Sequence, residues 1–112
     1  MEHILKLKST YFDFIDKGTK RIELRLYDEK RQKINIGDTI IFKKEPNLDA
    51  TMQVKVIGLL RYNSFEELIN DFNIEVLADK SMTKDELINV LREFYSKDEE
   101  KKYGVIGIRF KK

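Results

Sequence analysis

The stretch that decides the fold is Lys17-Gly18-Thr19-Lys20-Arg21-Ile22-Glu23-Leu24-Arg25-Leu26. Its second half alternates, with Ile22, Leu24 and Leu26 on one side and the charged residues between them on the other. A period of two predicts a half-buried strand. Gly18 is typical of the residue that ends a helix, so we expect a helix, a turn and then a strand.

The polar face of this strand is a candidate binding site. Arg21 and Arg25 flank Glu23, and Lys20 lies at the entrance of the strand. Cationic side chains can hold an anion, while a carboxylate can accept hydrogen bonds from the polar edge of a ligand. The alternative is a solvated strand face, because charged residues usually coat the surface.

Alternation at residues 3–8, and runs of β-prone residues at 39–43, 51–62 and 103–110, predict four more strands. The alternation breaks at Val56-Ile57-Gly58, which predicts a bulge or bend in the third of these strands. Helical spacing and capping residues predict three helices, at residues 10–17, 64–72 and 83–95. Residues 74–80 are ambiguous, and residues 28–33 and 96–102 are expected to be charged loops, the first with one helical turn as its alternative.

This order of elements favours an α+β fold. Strands are grouped in the middle of the chain, and helices precede the last strand, which is unlike the regular alternation of a parallel βαβ sheet. We therefore expect a small mixed β-barrel of about five to six strands with about three helices packed around it. A length of 112 residues predicts a single domain over residues 1–112.

Composition excludes several kinds of chemistry. The chain has no cysteine and only one histidine, His3, so disulfides, thiol nucleophiles and zinc sites of the usual type are excluded. We expect no metal and no cofactor, since no phosphate-binding glycine motif is present either. No apolar run approaches the roughly 20 residues of a membrane span, and the first residues are unlike a signal peptide. These features predict a cytoplasmic protein without a membrane partner.

Charge is distributed unevenly along the chain. Residues 1–63 carry 13 basic and 9 acidic side chains, residues 64–100 carry 4 and 11, and residues 101–112 carry 5 and none. If the two ends of the chain meet, they form a basic face of the kind that binds polyanions. The acidic segment 64–100 is either the solvent face of two helices or a surface for a protein partner.

The five tyrosines are candidate stacking residues, with Tyr62 and Tyr103 preferred over Tyr11, Tyr27 and Tyr95. Both preferred residues lie at the ends of predicted strands, where the mouth of a groove is expected. Flat aromatic faces stack on nucleic acid bases. The alternative is that each is a tyrosine at the edge of the core.

Lys20 and Glu23 are candidate catalytic residues. A lysine becomes a base or nucleophile when burial or neighbouring cations lower its pKa, and Arg21 and Arg25 would act in that direction. Glu23 would act in the opposite direction by stabilising the ammonium. From the residues alone, both binding and catalysis stay open.

The chain resembles the ASCH domain family, which has a PUA-like barrel. The motifs that carry the resemblance are Gly18-x-Lys20-x-x-Glu23-x-Arg25, Ile34-x-Ile36-Gly37-Asp38-x-Ile40-x-Phe42, Tyr62-x-Ser64-Phe65 and Tyr103-Gly104-Val105-x-Gly107-Ile108. They extend over nearly the whole chain in the expected order. The resemblance implies a PUA-like pseudobarrel with a cleft, lined by Lys20, Glu23 and Arg25, that binds RNA or a nucleotide.

The resemblance also implies an enzymatic alternative. Some members of the family are amidohydrolases that deacetylate N4-acetylcytidine with a lysine, a threonine and a glutamate, and a ribonuclease activity is also known. Lys20 matches the lysine, whereas Glu23 stands in place of the threonine, and Lys80, beside Asp79, stands in place of the glutamate. We therefore expect an RNA- or nucleotide-binding protein, with a small hydrolase as the alternative.

Overall fold

The computed structural model describes residues 1–112. Its strands are β1 (Glu2–Leu7), β2 (Ile22–Leu26), β3 (Thr39–Lys44), β4 (Thr51–Tyr62) and β5 (Val105–Lys111). Its α-helices are α1 (Ser9–Lys17), α2 (Phe65–Asn70), α3 (Ile74–Leu77), α4 (Lys84–Phe94) and α5 (Lys97–Tyr103). One 3-10 turn, Arg31–Lys33, lies where a charged loop or one helical turn was expected. No helix is both long and apolar enough to span a membrane.

The five strands form one mixed sheet in the order β1-β3-β4-β5-β2. β1 and β3 are parallel, and all other neighbours are antiparallel. The sheet curls into a half-barrel with the helices around it, which confirms the predicted α+β class and PUA-like architecture. β1 and β2 are the two edges of this sheet.

β4 is a long strand with a bulge, and its two parts pair with different neighbours. The first part of β4 pairs with β3, and the remainder pairs with β5. The register with β5 shifts between Val56 and Gly58, as the broken alternation predicted. A Cβ atom at position 58 would lie 3.3 Å from the Cβ of Arg109, so glycine lets the bent strand approach β5 closely.

The two faces of β2 lie in different environments. Ile22, Leu24 and Leu26 belong to a buried cluster formed with the helices α2, α3 and α4. Glu23 and Arg25 lie opposite Ile108 and Ile106 of β5, which belong to the cluster inside the half-barrel. The charged face of β2 therefore points into the half-barrel rather than into bulk solvent, and Glu23 is buried.

The expectation of a loop at residues 96–102 was wrong, because α5 occupies this segment. Ser96 and Glu99 form a capping box, with backbone-to-side-chain distances of 3.0 and 3.1 Å. The helix has no apolar stripe, so the sequence lacks the 3.6-residue hydrophobic period by which an amphipathic helix is predicted. A buried carboxylate anchors it instead: Glu100 accepts from the Phe65 backbone N–H at 2.7 Å and pairs with Arg92 at 2.5 Å.

The acidic character of residues 64–100 has a local explanation. Of its eleven acidic residues, eight lie in the first turns of α2, α3, α4 and α5. Carboxylates at these positions stabilise a helix by interacting with the positive end of its dipole. Placement near helix N-termini therefore accounts for most of this charge.

Asp38 connects the N-terminus to the turn before β3. Its Oδ2 lies 2.8 Å from His3 Nε2 and accepts from the Asn35 backbone N–H at 2.9 Å. Hydrogen bonding to His3, followed by that to Asn35, lowers the pKa of Asp38 from 3.8 to about 2. The folded state therefore stabilises the ionised carboxylate.

We expect Asp38→Asn to lower the urea midpoint at pH 7 and to have a smaller effect in acid. A depressed folded-state pKa contributes stability that is present above 3.8 and is lost as the pH falls towards about 2. The measurement is urea unfolding by circular dichroism at pH 7 and at about pH 3. Asp49→Asn, at an exposed position, is the matched control. An equal effect of Asp38→Asn at both pH values would contradict the linkage.

Candidate ligand-binding cleft

A cleft of about 150 Å³ opens between the two edge strands of the sheet and is covered by α1 and α4. Its charged lining residues are Lys6, Lys8, Lys20, Glu23, Arg25 and Glu45. Its apolar and aromatic lining residues are Leu7, Tyr11, Leu24, Leu87, Val90, Leu91, Phe94 and Tyr95. A charged floor within apolar walls is typical of a small-molecule site.

Three charged side chains form the floor of the cleft. Lys20 Nζ lies 3.1 Å from Glu23 Oε1, and Arg25 Nε donates to Glu23 Oε2 at 2.6 Å. Glu23 and Arg25 are two residues apart on β2, so both side chains lie on the same face of the strand. The carboxylate is thereby held by a cation on each oxygen.

Lys20 lies on the floor of the cleft rather than at its entrance, where it was expected. Only 3% of the residue is exposed. Its ammonium donates to the carbonyl oxygens of Ile22 and Leu77 at 2.6 and 2.8 Å, in addition to its contact with Glu23. These three acceptors satisfy all three N–H donors of the ammonium.

Arg25 connects the two edges of the sheet. Its Nη2 donates to the Lys6 carbonyl oxygen of β1 at 2.7 Å, while its Nε holds Glu23. No backbone ladder joins β1 to β2, because the sheet order places them at opposite edges. One side chain therefore spans the opening of the half-barrel and forms part of the cleft at the same time.

The floor residues shift one another's pKa values. Burial alone would raise the pKa of Glu23, but Lys20 and Arg25 outweigh it and lower that pKa below its ordinary value. Burial lowers the pKa of Lys20, and Glu23 opposes this shift. Burial would also lower the pKa of Arg25, but Glu23 reverses that shift and raises it. The arrangement favours a carboxylate held between an ammonium and a guanidinium.

Aromatic rings form the walls of the cleft. Tyr11 lies on α1, with its ring centre 5.8 Å from Lys20 Nζ. Phe94 and Tyr95 lie at the end of α4, and Lys8 Nζ is 5.2 Å from the Phe94 ring centre. Burial raises the pKa of both tyrosines.

The sequence assigned these three aromatic residues to the apolar stripes of helices; Tyr11 and Tyr95 were counted among the possible stacking residues, but Tyr62 and Tyr103 were preferred, and Phe94 was not considered. Phe94 is 49% exposed, which is unusual for a core aromatic residue. The only available signal was their position at the ends of the predicted helices, next to the strand that carries Lys20. Lys6 and Lys8 were likewise assigned only to the first strand.

The other sequence-predicted residues lie away from the cleft. Arg21 is exposed and does not line it, and its backbone N–H donates to the Val76 carbonyl at 2.7 Å. Tyr62 and Tyr103 line a separate groove. The structure thus brings together Lys20, Glu23 and Arg25 but not the remaining three.

The positions suggested for a catalytic glutamate are also outside the cleft. Neither Lys80 nor Asp79 is among its lining residues. Lys80 is exposed, and Asp79 pairs with Lys17 at 3.2 Å and accepts from the Ser81 hydroxyl at 2.7 Å. No group of three or more histidine, cysteine or acidic side chains comes together in a way that could hold a metal ion.

Comparison with known proteins identifies the family. An ASCH domain profile matches residues 5–112. The crystal structure of hypothetical protein PH0355 is similar, with a TM-score of 0.87 and 39% identity over 99% of this chain and 98% of that chain. The solution NMR structure of protein PF0455 from Pyrococcus furiosus has a TM-score of 0.76 and 35% identity over 99% and 96%.

A more distant structure shares the fold alone. The crystal structure of a mutant of ZmASCH from Zymomonas mobilis has a TM-score of 0.63 at 11% identity, over 99% of this chain and 68% of that chain. None of the curated proteins matches the chain. The profile match over nearly the full length, together with the similarity to PH0355, shows that the chain belongs to the ASCH domain family.

Proposed function

We propose that the cleft binds one nucleobase of an RNA or nucleotide ligand and that the protein acts by binding rather than by catalysis. The observation that supports this proposal is the pair of salt bridges that joins Lys20, Glu23 and Arg25 on the floor of a cleft with aromatic walls. Membership of the ASCH domain family supports an RNA-related ligand.

The size of the cleft supports a single ring system. Its volume of about 150 Å³ equals that of roughly five water molecules. This is below the roughly 300–1,000 Å³ of sites that bury drug-sized ligands. A base fits such a space, and the sugar and phosphate then lie outside, near Lys6 and Lys8 on the rim.

The floor offers the hydrogen-bonding groups that read a base edge. Each oxygen of Glu23 keeps one lone pair after its contact with Lys20 or Arg25, so it can accept from a ring or exocyclic N–H. Arg25 uses its Nε and Nη2 within the protein, which leaves donors for a carbonyl oxygen of the base. Tyr11, Phe94 and Tyr95 provide faces and edges against which a ring can stack.

The surroundings of Lys20 favour binding over catalysis. An attacking amine needs a free lone pair, but the nitrogen of Lys20 is surrounded by three acceptors within 3.1 Å. The hydrolase alternative has one observation in its favour, the burial that lowers the pKa of Lys20. The residues in the places of the family's threonine and glutamate, Glu23 and Lys80, do not complete that mechanism.

We expect nucleoside monophosphates to shift the backbone NMR signals of Glu23, Arg25 and Tyr95 on titration, and Phe94→Ala to weaken this binding about tenfold. Stacking of a base on an aromatic ring is worth roughly 1–3 kcal/mol, and the partly exposed Phe94 can be removed without opening the core. Ile57→Ala is the matched control, because Ile57 is 44% exposed and does not line the cleft.

Two results would contradict this proposal. Signal changes that avoid the cleft residues, or equal affinity in the parent and Phe94→Ala, would place the base elsewhere. Release of acetate from N4-acetylcytidine by the parent protein, measured by NMR, would establish the hydrolase alternative instead.

A further inference from the structure

We infer that a second site, separate from the cleft, binds the sugar–phosphate backbone of the same single-stranded RNA; this inference rests on the proposed function. The site is a groove of about 850 Å³ between the end of β4 and α5, here called the β4–α5 groove. The residues that carry the argument are Arg61, Tyr62, Lys97, Lys101, Lys102 and Tyr103.

The β4–α5 groove has an excess of unpaired positive charge. Arg61, Lys97, Lys101 and Lys102 have no carboxylate within 4.0 Å, since none of them takes part in an ion pair of the structure. Glu100, which also lines the groove, is occupied by Arg92 and the Phe65 backbone N–H. Two unpaired carboxylates, Glu66 and Glu67, remain against the four free cations. The balance favours an anionic partner.

Two tyrosines, Tyr62 and Tyr103, line the groove beside these cations. Lys102 Nζ lies 5.0 Å from the ring centre of Tyr103, and Arg61 stacks on Tyr27, which lies outside the groove, with its guanidinium carbon 3.8 Å from the ring centre. The Tyr62 hydroxyl donates to Asp71 at 2.7 Å, which holds its ring at the groove. Cations interleaved with rings are typical of surfaces that follow a single strand of nucleic acid. An acidic peptide would use the cations but would have no use for the rings.

The walls of the groove are rigid. Gly104 has a φ of +71°, and a Cβ atom there would lie 3.2 Å from the Tyr62 carbonyl oxygen, so α5 closes tightly onto β4. The Gly104 carbonyl accepts from the Tyr27 backbone N–H at 3.0 Å. Glu100, only 5% exposed, fixes α5 to α2 by accepting a hydrogen bond from the Phe65 backbone N–H. The cations of α5 therefore project from a fixed framework, which reduces the entropy lost on binding.

The end of α4 contributes to both sites. Arg92 lines the groove, whereas Leu91 and Tyr95, on the same stretch of chain, line the cleft. An RNA strand with one base in the cleft would reach the β4–α5 groove by passing the end of α4. The affinity of the protein for single-stranded RNA is therefore expected to rise as the RNA is lengthened beyond one nucleotide.

The test compares a fluorescently labelled oligouridylate of about ten nucleotides, a length within the usual site sizes, with uridine monophosphate. We expect fluorescence anisotropy to show that the oligonucleotide binds more tightly than uridine monophosphate, which is measured as its competitor. The double variant Lys101→Gln/Lys102→Gln should weaken binding of the oligonucleotide and leave binding of the mononucleotide unchanged. The salt slope of oligonucleotide binding should fall by about 1.4, since each lost phosphate contact on a single strand removes roughly 0.7. The control, Lys30→Gln/Lys33→Gln, removes the same charge from exposed residues outside both sites.

Each outcome bears on one site. If the double variant at 101 and 102 binds the oligonucleotide with the affinity and salt slope of the parent, or if the control loses as much, the groove is not the backbone site, even where mononucleotide binding in the cleft persists. If the groove variant weakens the oligonucleotide while Phe94→Ala changes neither ligand, the groove stands and the proposed function of the cleft fails. Equally tight, Lys101- and Lys102-dependent binding of polyglutamate would overturn the assignment to RNA.

Discussion

Replacing Lys20 with methionine is expected to lower the free energy of unfolding by about 3–5 kcal/mol, as is typical when one partner of a buried ion pair is removed. The substitution keeps an unbranched side chain that is one atom shorter, but it removes two hydrogen bonds and one ion pair. It leaves the carbonyl oxygens of Ile22 and Leu77 without a donor, and Glu23 with only one of its two cations.

The measurement is urea unfolding by circular dichroism, and it includes two further variants. Lys55→Met is the control, because Lys55 is exposed and takes part in no ion pair, so its loss should change the free energy of unfolding by no more than about 0.5 kcal/mol. Adding Glu23→Gln to Lys20→Met should restore part of the loss, since it removes the uncompensated buried charge.

An unchanged or higher stability of the Lys20→Met variant would contradict the structural role assigned to Lys20. A Lys20→Met protein as stable as the parent, or more stable, would mean that the ammonium is a strained group held for chemistry rather than a structural one.

Removal of residues 105–112 is expected to abolish cooperative unfolding. These residues include the whole of β5, which is the only strand paired with β2 and is also paired with the second part of β4. Four buried core residues are lost with it: Val105, Ile106, Ile108 and Phe110. The backbone groups of two strands would be left without partners in the middle of the sheet.

Thermal unfolding followed by circular dichroism and calorimetry measures this loss. Removal of Lys112 alone is the control, because its ammonium contacts only Asp16 at the surface.

A point variant, Gly107→Val, tests the same strand without shortening the chain. A Cβ atom at position 107 would lie 3.1 Å from both Ile22 and Leu68, so we expect a loss of about 1–3 kcal/mol from overpacking. A shortened chain with a sharp transition near the parent temperature would disprove the role assigned to β5.

The strands of the fold could be predicted because their patterns are local. Alternation or a run of residues with high β-propensity identified all five, and the break before Gly58 located the bulge. α5 could not be predicted, because it is held by a capping box and the buried Glu100 rather than by an apolar stripe. In a sequence of charged residues, only the tertiary contact with Phe65 distinguishes this helix from a loop.

The candidate site could be predicted only in part. The proximity of Glu23 and Arg25 follows from their spacing on one strand. The burial of Lys20 depends on the Leu77 carbonyl, 57 residues away, and no local pattern indicates that contact. The walls contributed by α1 and α4 depend on helix packing, which is why Tyr62 and Tyr103 were preferred to Tyr11 and Tyr95 as stacking residues.

The bridge from Arg25 to the Lys6 carbonyl has a consequence for self-association. An open sheet presents two edges at which an extended segment of another chain can add as a further strand and start an aggregate. Here the edge of β1 receives a charged side chain from β2, and the Arg21 backbone N–H at the start of β2 is occupied by the Val76 carbonyl. Inward-pointing charge at a sheet edge is a known protection against such templating. The same guanidinium that forms the cleft therefore also keeps the half-barrel from recruiting strands of its neighbours.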